Sequence, residues 1–429
     1  MRINEFLLYR NLKYGSLLEG MQGVDRSVNS SSISQDIRSL LMEIAGRLIE
    51  MADDYGFEGN LWQMMLTFSL ANNENPYSLA CELKGKAEGS INLAALHDLS
   101  IIKELFEYDI LALDRAFETD IMAIVSDYKN PDPRSKTINS KIRGRIRDLC
   151  HSLNSSKDIE EFKERVEEFY REFGVGRFGM HKAFKLGKKD GDEAAIIPIT
   201  SIAPVSLEDL IGYEAAKEKL IENTEAFVSG RRANNCLLFG AAGTGKSSSI
   251  KGILNKYFDR GLRIIEVYKH QYRYLNDVIA KIKTRNYKFI IYMDDLSFEE
   301  FETDYKYLKA IIEGSLEKKP DNVLIYATSN RRHLIKENFS DRNDRDDELH
   351  ISDTVQEKLS LSSRFGVTIY FGSPDKKEFN DIVKGLAVRY NIRMDEAELL
   401  KEANRWELSH GGLSGRTAQS FIDYLAGRE

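Results

Sequence analysis

The sequence predicts an α/β fold with a parallel sheet, which an all-helical N-terminal domain precedes and a helical lid follows. Helical apolar spacing fills residues 1–185, and five short apolar runs alternate with helical stretches over residues 207–372. Residues 373–429 are helical in pattern again. Strands that are separated by helices form parallel sheets covered on both faces. We therefore expect an N-terminal helical domain, a linker over residues 186–206, an α/β core and a C-terminal lid.

The size and composition are those of an ordinary globular protein with more than one domain. The chain has 429 residues, of which 42% are hydrophobic and 30% are charged. No apolar run approaches the ~20 residues of a membrane span, and the N-terminus lacks the apolar region of a signal peptide. Three widely spaced cysteines and a net charge of −7 argue against disulfides, a zinc site and a globally basic nucleic-acid binder. We expect a cytoplasmic protein without a membrane span.

The helices of the N-terminal domain are predicted from apolar stripes. Residues 34–56 and 158–174 repeat apolar side chains at helical spacing, and Gly174 stands where a C-terminal cap belongs. Residues 185–206 then contain two glycines, two prolines and charges of both signs, which is typical of a domain boundary.

The core that follows is predicted to contain five strands and to end in three helices. The apolar runs that predict the strands occupy residues 236–240, 263–267, 288–293, 322–328 and 366–371. The helical patterns of the lid occupy residues 374–389, 394–408 and 414–426.

The stretch GAAGTGKS at residues 240–247 has the spacing of a phosphate-binding loop. It follows an apolar strand and opens a helix, so backbone N–H groups and a helix N-terminus meet at one point. Lys246 can reach the β- and γ-phosphates of a nucleotide, and the Ser247 hydroxyl can bind Mg²⁺. A chance match is the alternative, which the flanking strand and helix disfavour. The predicted cofactor-binding residues are Gly240, Ala241, Ala242, Gly243, Thr244, Gly245, Lys246, Ser247 and Ser248.

Polar side chains follow two of the predicted strands, those at residues 288–293 and 322–328. Asp294 and Asp295 end the run FIIYMDD, and Asn330 ends NVLIYATSN. Asp294 is the candidate Mg²⁺ ligand, and Asp295 is the candidate group that orients and deprotonates the attacking water. Asn330 can hydrogen-bond the water or the γ-phosphate. The alternatives are that the acids cap the next helix and that Asn330 is a turn residue.

The order of these motifs resembles that of the AAA+ ATPases over about half of the chain. The phosphate loop resembles their Walker A motif, IIYMDD their Walker B motif, and Asn330 their first sensor. The match is closer to one bacterial AAA+ family of unassigned function, whose signature stretches are similar to MDDLSFEE, GSLEKKPDNVLIYATSNRRHLI and SGRTAQSFIDYL. This resemblance implies a P-loop NTPase fold of AAA+ type that binds ATP and Mg²⁺.

The same resemblance implies roles for residues outside the phosphate loop. Ile211, Gly212 and Tyr213, in the segment before the first strand of the core, would border the adenine. Arg364, in LSLSSRFG, would be an arginine finger that serves a neighbouring subunit, which implies a homo-oligomer. Arg416, in GGLSGRTAQSFIDYLA, would be a second sensor that reaches the phosphates from the lid. Arg364 has a simpler interpretation as a surface charge before the strand GVTIYF. Arg416 stands at the start of an amphipathic helix, where a cation opposes the helix dipole unless an anion such as phosphate is near.

One residue departs from the AAA+ pattern. Those proteins usually place Glu after the Walker B Asp, but this chain has Asp295, which is one methylene shorter. Turnover is therefore expected to be slow or to depend on an assembled site. Glu299, one helical turn further on, is an alternative base, although SFEEFE reads more simply as a solvated acidic face.

Three hypotheses about function follow. The first is a Mg²⁺-dependent ATPase that oligomerises and couples hydrolysis to remodelling or loading of a macromolecular partner. The second is a nucleotide-gated scaffold with little turnover. Asp295 in place of the usual Glu is the reason to retain this hypothesis. The third is a DNA-handling loader, which depends on Lys141, Arg143, Arg145 and Arg147 in the predicted helix 139–148, a run that is more often a solvated face. The charge-dense stretch 331–350 is either a partner-facing loop or a surface insertion.

Overall fold

The computed structural model describes most of the chain. The described residues are 1–30, 32–131, 135, 137–189, 191–298, 305–313, 320–331, 334 and 361–428. They divide into two compact units, Met1–His181 and Lys182–Glu429. No helix within these ranges combines the length and the apolar character that crossing a bilayer requires.

The first unit is helical throughout, as predicted. Its helices are α1 (Gly15–Asn29), α2 (Gln35–Tyr55), α3 (Leu61–Asn72), α4 (Pro76–Lys84), α5 (Ser90–Phe106), α6 (Leu111–Phe117), α7 (Ile121–Ser126), α8 (Ser140–Asn154), α9 (Ile159–Phe173) and α10 (Gly176–Met180). Helix α2 begins at a Ser34 cap, and α9 ends at Gly174, whose φ of 75° only glycine adopts readily. The Gly174 cap confirms the helix end predicted from the sequence.

The second unit contains a seven-stranded sheet and seven helices among the described residues. The strands are β1 (Ala183–Lys189), β2 (Asp192–Pro198), β3 (Cys236–Gly240), β4 (Leu262–Glu266), β5 (Lys288–Met293), β6 (Val323–Ser329) and β7 (Val367–Phe371). The helices are α11 (Glu214–Val228), α12 (Lys246–Tyr257), α13 (Leu275–Ile282), α14 (Tyr305–Glu313), α15 (Lys376–Arg389), α16 (Glu396–Ser409) and α17 (Gly415–Ala426). The five strands predicted from apolar runs are β3 to β7, each within one residue of its predicted bounds.

The strand order brings the predicted motifs to one edge of the sheet. The order is β2-β1-β4-β5-β6-β3-β7, and only the pair β1–β2 is antiparallel. Because β3, β5 and β6 run parallel, their carboxyl ends lie side by side. The phosphate loop after β3, the acids after β5 and Asn330 after β6 therefore meet at this edge. This confirms the predicted α/β fold of P-loop type with a mostly parallel sheet.

The first part of the predicted linker, residues 186–206, is not a linker but belongs to the sheet. Strand β1 pairs with β4 in parallel and with β2 in antiparallel register, so residues 186–189 and 192–198 extend the sheet. Gly191 lies in the connecting turn with a φ of 82°, and Pro198 is the last residue of β2. One glycine and one proline of the segment that suggested a linker, Gly191 and Pro198, therefore turn and end a β-hairpin.

The C-terminal helices pack around a core of their own. Helices α15, α16 and α17 enclose buried side chains that include Phe379, Val383, Ala403, Phe421 and Ile422. Helix α15 begins at a capping box in which Asp375 accepts from the backbone of Glu378 and Glu378 accepts from the backbone of Asp375. The lid helices predicted at 374–389, 394–408 and 414–426 lie within two residues of these bounds.

Replacing Gly240 tests the close approach of β3 and β7 that precedes the phosphate loop. Gly240 has a φ of 138°, and a Cβ added there would overlap the carbonyl oxygen of Phe371. We expect Gly240→Ala to lower the free energy of unfolding by more than about 3 kcal/mol, because the strained φ alone costs roughly 1–3 kcal/mol. Urea-induced unfolding measures the loss.

The matched control is Gly230→Ala. Gly230 also has a positive φ, 74°, but no atom lies within 4 Å of the added Cβ. Its loss should stay near the strain term of roughly 1 kcal/mol. Equal losses in the two variants would show that the contact with Phe371 has no energetic weight.

Candidate functional site

The candidate site is a pocket of about 610 Å³ at the carboxyl edge of the sheet. Its walls come from the segment before α11, the phosphate loop, the ends of β5 and β6, and helices α15 and α17. The predicted residues that line it are Ile211, Tyr213, Ala242, Gly243, Thr244, Gly245, Lys246, Ser247, Ser248, Asp294, Asp295, Asn330 and Arg416. The structure thus brings most of the predicted site residues together. Gly212, Gly240, Ala241 and Arg364 are not in its lining.

The phosphate loop has the backbone of an anion cradle. Gly243 and Gly245 have φ values of 75° and 89°, a region in which side chains are strained. Helix α12 begins directly after Gly245, and its free N–H groups and dipole favour an anion at this end. The Thr244 hydroxyl donates to the carbonyl of Ala241 over 2.8 Å, which closes the loop on itself.

The Lys246 ammonium is buried at the base of the loop. It donates to the carbonyl oxygens of Gly240 and Ala241 over 3.0 and 2.6 Å, and to Oδ1 of Asn330 over 3.0 Å. Burial lowers the pKa of Lys246, although the carboxylates of Asp294 and Asp295 oppose the shift. An anionic ligand bound beside this ammonium would therefore compensate, by charge attraction, for the water that burial removes from it.

The Asp294 carboxylate accepts hydrogen bonds from three hydroxyl groups at one oxygen. Ser247 donates to Oδ1 over 2.8 Å, and Tyr292 and Thr328 each donate over 2.6 Å. Partial desolvation raises the pKa of Asp294, but the hydrogen bonds from Thr328, Tyr292 and Ser247 outweigh it and leave the pKa below its ordinary value. Asp294 is thus an ionised carboxylate beside the Ser247 hydroxyl.

Asp295 follows in a left-handed backbone conformation with a φ of 50°. Its N–H donates to Oγ1 of Thr328 over 3.0 Å, and its Oδ1 accepts from Nδ2 of Asn330 over 2.8 Å. The same Asn330 amide accepts from Lys246 through Oδ1. Asn330 therefore connects the candidate base to the phosphate-loop lysine.

The apolar wall of the pocket suits a nucleobase. Ile211 packs against the core of the lid, where Gly385 leaves it room because an added Cβ would overlap its side chain. The Tyr213 ring lies 5.5 Å from that of Phe371, and its buried hydroxyl has no hydrogen-bond partner among the described residues. Burial and the nearby Glu378 raise the pKa of Tyr213 to about 12. Gly212, with a φ of 82°, turns the chain between the two side chains.

The lid is joined to the pocket at two points. The backbone N–H of Arg416 donates to the carbonyl of Gly243 over 3.1 Å, and the exposed Arg416 side chain lines the pocket. Gly243 allows this contact, because a Cβ added there would lie 3.0 Å from Cβ of Arg416. On the other side, Arg389 of α15 pairs with Asp209 over 3.1 Å. Sequence reasoning missed this ion pair, for which no local pattern gives a signal.

One predicted catalytic candidate, Arg364, is not among the residues that line the pocket, and another falls outside the described residues. Arg364 follows a helical turn at residues 361–363 and precedes β7, so the pocket of its own chain does not use it. Glu299, the alternative base, falls outside the described residues, as does most of the stretch 331–350.

Sequence reasoning also gave no role to Tyr292 and Thr328, which contact Asp294. Tyr292 stands two residues before Asp294, so in an extended strand both side chains point to the same face. This two-residue spacing could have indicated a contact between Tyr292 and Asp294. It was overlooked because the run FIIYM is otherwise apolar. The contact with Thr328 depends on the pairing of β5 with β6 and is not visible in either segment alone.

The donor set fits a hard divalent cation that a nucleotide brings with it. Mg²⁺ prefers oxygen ligands and usually takes one or two carboxylates together with substrate phosphates and water. Ser247 and Asp294 supply a hydroxyl and an ionised carboxylate 2.8 Å apart. Within the described ranges no group of three or more His, Cys, Asp or Glu side chains is arranged to hold a metal ion.

Comparison with known proteins identifies the family. Residues 180–429 match the family described as "Protein of unknown function (DUF815)", and no curated protein matches the chain significantly. A point mutant of RuvB from Thermotoga maritima matches with 19% identity and a TM-score of 0.36, over 51% of this chain and 64% of that chain. The Thermotoga maritima RuvB Holliday junction branch migration motor matches with 16% identity and a TM-score of 0.33, over 52% and 72%. Similarities of this size do not indicate what this chain binds.

Removing the Arg416 side chain tests whether the lid contacts phosphate. We expect Arg416→Ala to weaken ATP binding about tenfold or more, because a hydrogen bond to a charged group contributes roughly 1.5–3 kcal/mol. Adenosine, which has no phosphate, should bind the variant and the wild type equally. Isothermal titration calorimetry measures both affinities.

Lys401→Ala is the control, since Lys401 is an exposed cation of the same lid and does not line the pocket. It should leave both affinities unchanged. An equal loss of ATP and adenosine affinity in Arg416→Ala would mean that the side chain supports the lid and does not contact phosphate.

Proposed function

The chain belongs to the DUF815 family, and we propose that it is an ATP-binding protein of AAA+ type that hydrolyses ATP with the help of Mg²⁺. One observation carries the proposal: a buried Lys246, a Ser247–Asp294 pair and an Asp295–Asn330 pair converge in one pocket. Phosphate binding, metal binding and activation of water each need one of these groups.

The phosphate loop would hold the triphosphate. The N–H groups before α12 and the Lys246 ammonium would replace the hydration of the phosphates. Ser247 and Asp294 would hold Mg²⁺, which neutralises charge on the phosphates when it is bound. Ile211 and Tyr213 would border the adenine on the apolar side. The preference for ATP over GTP comes from the AAA+ resemblance.

Asp295 would act as the base. In hydrolysis a water oxygen attacks the γ-phosphorus, the bond from that phosphorus to the bridging oxygen breaks, and a water proton passes to the carboxylate. Asn330, which donates to Oδ1 of Asp295 over 2.8 Å, would orient this group. Arg416 would contact the phosphates from the lid.

The arginine finger would come from a second copy of the chain. Arg364 lies outside the pocket lining of its own chain, which fits a residue that serves a neighbouring subunit. We therefore propose a homo-oligomer that couples hydrolysis to remodelling or loading of a macromolecular partner. The identity of that partner and a cytoplasmic location stay predictions.

A nucleotide-gated scaffold with little turnover is the second candidate. The observation that favours it is the hydrogen bond from Asn330 to Oδ1 of Asp295, which leaves the short carboxylate one other oxygen to accept a proton. A DNA-handling role has weaker support: on α8 the Arg145 guanidinium lies 4.4 Å from the centre of the Phe173 ring, and Arg147 pairs with Asp148.

Two substitutions separate the ATPase from the scaffold. We expect Lys246→Ala to lose ATP binding, because it removes the buried cation of the loop. Asp295→Asn should keep binding of ATP and Mg²⁺ but lower turnover by about a hundredfold or more, the usual contribution of a general base. Calorimetry and a phosphate-release assay measure the two properties.

Asp277→Asn, an exposed acid on α13, is the control and should change neither property. Wild-type protein that binds ATP and Mg²⁺ but releases phosphate only at the background rate would favour the scaffold. Failure of the wild type to bind ATP in the presence of Mg²⁺ would contradict both candidates.

Mixing two inactive variants tests whether Arg364 acts between subunits. Arg364→Ala and Asp295→Ala should each be inactive alone. In a mixed oligomer some interfaces combine an intact Asp295 with an intact Arg364 from the neighbour, so phosphate release should reappear. No recovery at any mixing ratio, in samples that sedimentation shows to be mixed oligomers, would contradict a finger in trans.

A further inference from the structure

The hydrogen bonds at Asp294 assign roles to Tyr292, two residues before it on the same strand, and to Thr328, on the neighbouring strand. Oδ1 of Asp294 accepts from Tyr292 and from Thr328, each over 2.6 Å, in addition to the 2.8 Å bond from Ser247. Hydrogen bonds from hydroxyl groups to carboxylates at such distances are among the stronger ones in proteins. The Asp294 carboxylate is thereby fixed in orientation by its own strand and by the neighbouring strand.

Tyr292 belongs to a strand whose other buried side chains are apolar. The run KFIIYM forms β5, and Tyr292 is 6% exposed. A phenylalanine would fill the same space without a polar group to satisfy, whereas the tyrosine hydroxyl needs a partner in this environment. Its partner is the Asp294 carboxylate, which is a Mg²⁺ ligand in the proposed function.

Thr328 connects both acids of the Walker B segment. Its hydroxyl donates to Asp294 and accepts from the N–H of Asp295 over 3.0 Å. Its backbone carbonyl accepts from the N–H of Leu296 over 2.7 Å. Thr328 is 1% exposed on the central strand β6 and is therefore held firmly itself. One side chain thus fixes the direction of Asp294 and the turn that carries Asp295.

We infer that Tyr292 and Thr328 are positioning residues that hold Asp294 in the orientation required to bind Mg²⁺ with the nucleotide. The inference rests on the proposed function, because it concerns the same site. Residues that hydrogen-bond a metal-ligating carboxylate orient it before the metal arrives, and their loss typically costs about 10- to 100-fold in metal affinity. Neither residue contacts the phosphates in this role.

The experiment measures binding of Mn²⁺, as a paramagnetic substitute for Mg²⁺, to the full chain with a non-hydrolysable ATP analogue. Electron paramagnetic resonance reports free Mn²⁺, so the readout does not depend on turnover. We expect Tyr292→Phe and Thr328→Val each to weaken Mn²⁺ binding about tenfold or more. Affinity for the analogue in EDTA should not change, since no phosphate contact is lost.

Two matched controls separate positioning from simple support of the fold. Thr328→Ser keeps the hydroxyl and should bind Mn²⁺ as the wild type does. Tyr326 lies opposite Tyr292 in register, and its hydroxyl bonds with Thr224 and Asn223, away from the acids. Tyr326→Phe should therefore lower thermal stability without changing Mn²⁺ affinity. If Tyr292→Phe does not fold, Thr328→Val against Thr328→Ser decides the question.

The outcomes distinguish this inference from the function on which it rests. Wild-type protein that binds no Mn²⁺ with the analogue would contradict the proposed function and the inference together. Wild-type binding with unchanged affinity in Tyr292→Phe and Thr328→Val would contradict the inference alone. Equal weakening of analogue binding with and without metal would also contradict it, because that result indicates a general distortion of the pocket.

Discussion

The site depends on the parallel pairing of β6 with both β3 and β5. Leu238 pairs with Thr328 and Met293 pairs with Ala327, so the ends of the three strands are level. A shift of one residue would turn every side chain of β6 to the other face. Thr328 would then point away from Asp294, and Asn330 would lose its place between the phosphate loop and the acids. The register of buried strands, which hydrophobic packing fixes, therefore determines the chemistry at their ends.

The pocket also balances its charges before a nucleotide arrives. Lys246 and Arg416 line it together with Asp294 and Asp295, and Asp209 pairs with Arg389, so each charge has one of opposite sign nearby in a partly desolvated space. The hydrogen bonds that link Lys246 to Asn330 and Asn330 to Asp295 are part of this balance. A triphosphate that carries its own divalent cation would give the Lys246 ammonium a new anionic partner in this network.

The sequence predicted the elements of this site better than their connections. The phosphate loop, the paired acids and Asn330 are local patterns whose meaning depends on a few adjacent residues. Strands β3 to β7 were also predictable, because an apolar run bounded by turns has few other interpretations. Contacts across strands, such as Thr328 with Asp294, require the strand order and the register. The hairpin of β1 and β2 was mistaken for a linker because glycine and proline mark both kinds of segment.

The shorter acid at position 295 follows from the backbone that carries it. Asp295 has a φ of 50°, a region where Asp and Asn are several-fold enriched among residues other than glycine. Its N–H is held by the Thr328 hydroxyl, which also holds Asp294. A glutamate would fit this left-handed turn less well. The choice of Asp rather than Glu at position 295 is thus linked to the hydroxyl groups of Tyr292 and Thr328, which hold the two acids in place.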